Sequence, residues 1–382
     1  MTFYLSKLFK GRLNTIKLEN MILNNNSLVY LLEHEKNLLQ ITTTNHTRTW
    51  EYYHEQYDKA FRVLLEIAKQ KDNQTNSQFM PFLFIMRHSL ELFLKKNISN
   101  TQTSWEEYGN THNLESLYKI ANIDASQFLE SFECLNCNSE GECFRYLSDK
   151  EGNLYFDNII IKAFEACNYY CSLLDDDNSL TQGGIDRGLQ SELTYYTREC
   201  YTLGIIGTQY DFAIENILLA IQKKQISIND VYLPLLFLLR HCLEIKLKFS
   251  IMDLGNVVND TDRAEASSTH SVKVLYNILA NHINPAIQSI PEPEFKKDSE
   301  SLLQVSEQYK DIIASLDANS FLFRFPMDKK GNESNFKPTR DCVFDILNLY
   351  KKSDPFLCFV VGVLYEAGVL RIGADKESEY YE

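Results

Sequence analysis

The sequence predicts an all-α protein, two tandem antiparallel helical bundles with a short extended segment or turn in each. Three observations carry that expectation. First, residues 55–96 align without a gap with residues 208–249, at an offset of 153 residues and with 16 of 42 positions identical. Second, apolar residues in both stretches recur at helical spacing. Third, two more blocks return later in the same order at growing offsets of 158 and 179 residues. Ordered blocks with drifting spacing mean duplicated domains rather than a short solenoid repeat.

The elements follow in chain order. Residues 1–45 match nothing in the second half and read as an added helical segment. Copy 1 spans 46–175, a linker rich in Asp and Gly covers 176–194, and copy 2 spans 195–382. Trp50–Lys71 places Tyr53, Tyr57, Phe61, Leu64 and Ala68 on one helical face, and its counterpart runs from about Tyr201 to Lys224. The next helix begins near Pro81, a residue tolerated in a first turn. There Pro-x-Leu-Phe-x-x-Arg-His-x-Leu-Glu-x-x-Leu-Lys (81–95) recurs as 234–248, with 9 of 15 positions identical. Thr111 and Thr269 read as N-caps of a third helix. Phe144-Arg145-Tyr146 and Phe323-Arg324-Phe325 read as extended segments before tight turns, with Gly152 and Gly331 supplying positive φ. Closing helices follow near Asp157–Leu174 and Arg340–Tyr350.

Bulk properties narrow the function. A net charge of −14 argues against coating nucleic acid by bulk electrostatics, though a local basic cleft remains allowed. No run reaches the length of a membrane span, and the longest candidate is Phe356–Leu364. The first twelve residues lack the apolar core of a signal peptide. Nine cysteines, an odd number in a long chain, point to reduced thiols in a cytoplasm. Cys134, Cys137 and Cys143 are clustered but lack a fourth ligand and a counterpart in copy 2, so no metal and no cofactor is expected. Glycine-loop nucleotide motifs, His-Glu-x-x-His and Gly-x-Ser-x-Gly are all absent.

The candidates for chemistry lie on the helix that both copies share. It is apolar almost all round, hence buried, so Arg87, His88 and Glu91, with Arg240, His241 and Glu244, sit where charge requires partners. Two readings stand side by side. One is a structural network that fixes helix register. The other is a site in which arginine holds an anion and histidine moves a proton. Supporting positions are His112 and His270, either caps or second proton carriers, and Arg145 and Arg324. The recurrence of these arginines with Asp149 and Asp328 suggests a specific partner, either Glu91 and Glu244 or a bound phosphate.

Arg-His-x-Leu-Glu on a buried helix, then Thr-His-x-Leu/Val, then Phe-Arg-Tyr/Phe before a turn, resembles the HEPN superfamily, in particular HEPN-like proteins of prokaryotic defence, toxin and stress systems. The resemblance covers about 50–175 and 200–350. It implies action on RNA, including metal-independent ribonuclease chemistry in which arginine stabilises the scissile phosphate and histidine handles the proton. It further implies that the two copies form an internal pseudo-dimer, with RNA or a protein encoded nearby as partner. Catalytic members carry Arg and His four to six residues apart on a late helix. Neither closing helix here has that pair. Arg48 and His54 have the spacing, but Gly207 stands opposite His54 in copy 2. The alternative function is a non-catalytic helical interaction or regulatory module.

Overall fold

A computed structural model describes residues 26–42, 49–70, 78–124, 142–174, 193–194, 203–300 and 310–351, apart from scattered positions within those ranges. The linker between the copies, most of the N-terminal segment, Arg48, Gly152, Cys134, Cys137 and the run 356–364 lie outside the described residues. The fold is mainly helical, as expected. Among the described residues one small sheet pairs two-residue strands antiparallel, β1 (Ile160–Ile161) with β2 (Leu193–Thr194). By contacts the chain divides into two compact units that cut across the repeat: a larger one of 27–245 and 318–346, and a smaller one holding 246–317 with the chain ends.

The larger unit contains α1 (Asn26–His34, all but its first residue), α2 (Trp50–Gln70), α3 (Phe79–Ser99), α4 (Trp105–Tyr108), α5 (Leu114–Ala121), α6 (Ala163–Leu174) and α7 (Leu203–Gln222). It also holds the first two-thirds of α8 (Tyr232–Asp253). Helices α2 and α3 form an antiparallel hairpin. Its register is set by Glu51 with Lys96 (2.8 Å), His54 against Phe93, and the Gln78 amide donating to the Leu64 carbonyl (3.2 Å). Every residue of α3 from Phe79 to Leu92 is buried, and so is every residue of α8 from Tyr232 to Ile245. These are the two copies of the shared helix, and they form the core.

The two copies are interleaved by reciprocal contacts. The Gln209 side chain accepts from the Met80 backbone N–H at the start of α3 (2.9 Å), and Gln56 accepts from Leu233 N–H at the start of α8 (2.9 Å). Each helix therefore has one orphan N-terminal donor satisfied by the other copy. Phe84 and Phe237, equivalent in the repeat, stack on each other with centroids 4.5 Å apart. Reciprocal pairs plus one self-pair are the signature of an isologous, two-fold-like arrangement.

Local structure corrects two expectations. Thr111 and Thr269 are not the N-caps. The caps are Asn113, whose side chain accepts from Ser116 N–H, and Ser271, which accepts from Val274 N–H. Each threonine hydroxyl instead accepts from the cap residue's own N–H, at 3.3 and 3.2 Å, so it shapes the approach to the helix. The Phe-Arg-aromatic blocks are single helical turns rather than extended segments. Arg145 N–H and Tyr146 N–H both donate to the Glu142 carbonyl, and Arg324 N–H and Phe325 N–H to that of Phe321. The turns after them form as expected: Asp149 N–H donates to the Asn153 carbonyl and Asp328 N–H to that of Asn332, both at 2.9 Å. Gly331 takes φ +78°, and a Cβ there would also run into the Trp105 ring at 2.9 Å.

In the smaller unit, α9 (Asp260–Ser268) is capped by Asn259, and α10 (Val272–Ser289) presents its N-terminus to Asp317. That carboxylate accepts from Ser271 Oγ (2.6 Å), Val272 N–H (2.8 Å) and Lys273 N–H (2.8 Å). An anion at a helix N-terminus is favourable because the unpaired N–H groups and the helix dipole both face it. His270 belongs to this unit.

Candidate functional site

Each shared helix carries its charges in a closed circuit. On α3, Glu91 sits one turn after Arg87 and one turn before Lys95, so all three share a face. Its carboxylate meets Arg87 Nη1 at 3.2 Å, Lys95 Nζ at 3.1 Å and His112 Nδ1 at 2.8 Å. Arg87 Nη2 also donates to the His112 carbonyl (2.6 Å), and Lys95 Nζ to that of Gly109 (3.0 Å). Burial alone would raise the Glu91 carboxyl, but Lys95 and His112 hold it well below the ordinary carboxylate range. On α8, Arg240 pairs with Glu244, and the Tyr146 hydroxyl donates to Glu244 at 2.7 Å.

His88 and His241 occupy matching positions. His88 Nε2 lies 3.1 Å from the Arg324 carbonyl, and His241 Nε2 lies 3.0 Å from the Arg145 carbonyl. A carbonyl only accepts, so both rings carry their proton on Nε2. The turn from copy 2 thus seats on the helix of copy 1, and the turn from copy 1 on the helix of copy 2. The hydroxyls of Tyr57 and Tyr210 repeat the exchange by donating to the Phe323 (3.1 Å) and Phe144 (3.2 Å) carbonyls. His88, Phe84, Phe237 and His241 form one ladder of nearly parallel rings. Both imidazoles are almost fully buried (2% and 0% exposed), and burial pushes each down to about 4, which leaves them neutral.

The aromatic that follows each arginine differs between copies, and the neighbours differ with it. Tyr146 supplies a hydroxyl to Glu244, whereas Phe325 has none, and Glu91 takes His112 instead. Asp149 and Asp328 do not join the circuit. Each folds back on its own turn, accepting from the N–H and the side-chain amide of Asn153 or Asn332.

Arg145 and Arg324 converge. Both guanidinium carbons lie 5.8 Å from the centroid of Phe237, so they are at most twice that distance apart. Arg145 is 93% buried; it donates to the Tyr146 hydroxyl (3.0 Å) and has Glu142 at 4.0 Å. Among the described residues no ion pair joins Arg324 to an acid. The Nε of each arginine is buried without a hydrogen-bond partner. Burial and the charge of Arg145 together push Arg324 down to about 10. Two guanidiniums at such a separation repel by more than about 1 kcal/mol at an effective dielectric near 20.

Among the described residues no group of three or more His, Cys, Asp or Glu is placed to hold a metal ion, and no helix is long and apolar enough to cross a membrane. The cysteines are mixed, where the sequence favours reduced thiols over a disulfide framework. Cys143 is disulfide-bonded, while Cys167, Cys171, Cys242 and Cys342 are thiols outside any disulfide. Cysteine number and spacing do not fix which sulfurs the fold brings together. Comparison with protein-family models, curated proteins and solved structures finds no match to this chain.

Proposed function

We propose that this chain is an HEPN-like, non-catalytic helical interaction module in which the Arg-His-x-Leu-Glu helices form the internal seam between the two copies. One observation carries the reading. Both histidines are neutral and buried, and each spends its only N–H on a backbone carbonyl of the other copy's turn. A general base must reach the proton it removes, and these rings face protein on every side that is described. Arg87 and Arg240 are likewise committed to Glu91 and Glu244. Ile205 and Phe212, seven residues apart on one face of α7, are 39% and 41% exposed and offer an apolar contact surface.

A second reading, action on RNA, is favoured by the convergence of Arg145 and Arg324. The test incubates the protein with total RNA in EDTA, alone and with the products of neighbouring genes. Intact RNA is the expected result. Cleavage that is lost in folded His88→Ala and His241→Ala variants would replace the interaction reading with a nuclease.

A further inference from the structure

Most buried charges of the larger unit have an evident structural purpose. Glu91 neutralises Arg87 and Lys95, and Glu244 neutralises Arg240. Arg145 and Arg324 are less fully paired: Glu142 lies 4.0 Å from Arg145, and among the described residues no acid forms an ion pair with Arg324. Their backbone carbonyls seat the two histidines, a task any residue type can perform. Their guanidinium carbons both lie 5.8 Å from the centroid of Phe237, near enough for the two charges to repel each other. Tyr57 and Tyr210 each feel the charge of both arginines, so the pair lies close to both copies' first helices. Packing alone gives no reason to bring two cations together there. A group with negative charge on several oxygens does, because guanidinium forks match phosphate geometry and both unpaired Nε–H groups are donors awaiting acceptors.

We propose that Arg145 and Arg324 form one two-fold-like binding site for a single phosphate group, with Phe237 beside both guanidiniums. Arg324 is only partly buried, less so than Arg145. The ligand is one phosphate bridging the pair, supplied by a nucleotide or by the backbone of an RNA. This site goes beyond the interaction reading and stands or falls separately from it, since phosphate binding requires neither cleavage nor a protein partner.

The experiment titrates the full chain by calorimetry with inorganic phosphate, with AMP and with a short oligouridylate, against sodium chloride of matched ionic strength. At least one phosphate compound is expected to bind with one site per chain. Binding by the oligouridylate alone assigns the group to an RNA backbone, and binding by phosphate or AMP assigns it to a small molecule. Arg324→Gln should weaken binding at least tenfold. Without ligand, that variant should melt no lower than wild type, because it removes a repulsion and strands no acid. An arginine with a purely structural role would lower the melting temperature when replaced. Arg145→Gln, which acts from the buried side, should lose the same binding. Absence of binding by all three compounds to the wild-type chain, or binding unchanged in both variants, overturns the site.

Discussion

Acid should unfold this protein well above the pH at which ordinary carboxylates titrate, and the reason lies in three buried histidines. His54, His88 and His241 are each pushed from an ordinary value near 6.5 down to about 4, by burial above all. His54 also lies near Lys96 and Arg62, and neither of its ring nitrogens has a hydrogen-bond partner. A folded value below the unfolded one means that the unfolded chain binds more protons as pH falls. The stabilisation is therefore complete above about pH 6.5 and is lost progressively toward pH 4. A displacement of about 2.5 pH units is worth about 3 kcal/mol per histidine. Three of them sum to about 10 kcal/mol, comparable with the whole stability of a typical domain. Glu215 and Asp345, which burial raises, work in the opposite sense. The assay follows the urea midpoint from pH 7.5 to 4.5 alongside the NMR titration of the histidine ring protons. The midpoint should fall steeply below pH 6.5. His88→Gln and His241→Gln keep a donor for the carbonyl and cannot titrate, so each should remove about a third of the slope. A midpoint that stays level down to pH 5, or native His88 and His241 resonances titrating near 6.5, would refute the reasoning.

Three further outcomes are expected. Glu91→Ala leaves Arg87 and Lys95 buried without their common carboxylate and should cost about 3–5 kcal/mol by urea denaturation; a loss under 1 kcal/mol would show that the circuit is not coupled. Tyr146→Phe makes the copy 1 turn resemble the Phe325 turn but takes a donor from buried Glu244, so a loss of about 1.5–3 kcal/mol is expected in the same measurement. Gln56→Ala and Gln209→Ala each free one helix N-terminal N–H and should each cost about 1 kcal/mol, and they should do so equally if the two copies support one another symmetrically.

The helices were legible because their signal is local. Apolar spacing in Trp50–Gln70 and the continuous apolar run around Arg87 determine an amphipathic helix packed on a buried one, and Pro81 and Pro234 mark where the buried helices begin. The caps were misplaced by two residues because Thr111 and Thr269 satisfy a donor just outside the helix, and sequence pattern alone does not separate that turn from a cap. The exchange between copies was not legible at all. A repeat alignment says that Arg145 corresponds to Arg324 and Phe84 to Phe237; it does not say which copy's turn packs on which copy's helix. That choice is made by three-dimensional complementarity, the fit of an imidazole N–H to a distant carbonyl. The sequence offers Glu91 and Glu244, or a bound phosphate, as partners for the two arginines; Glu244 does act on the charge of Arg145 and Glu91 on that of Arg324, while their direct contacts go to Arg87, Lys95 and His112 and to Arg240 and Tyr146.

A duplicated chain that pairs its copies places equivalent residues opposite each other near the two-fold-like axis, and that geometry filters what can sit there. An apolar residue meets its own kind favourably, as Phe84 meets Phe237. A donor meets an acceptor only when the contact is displaced to an off-axis pair, as with Gln56 and Leu233 or Gln209 and Met80. A cation meets another cation, which opposes folding unless something anionic lies between. The reciprocal hydrogen bonds between the copies fall in the second class and the Phe84–Phe237 stack in the first. Arg145 and Arg324 fall in the third. Departures from the rules that stabilise a fold concentrate where the fold is used, which is why the proposed phosphate site is assigned to Arg145 and Arg324 rather than to the Arg-His pairs buried beside them.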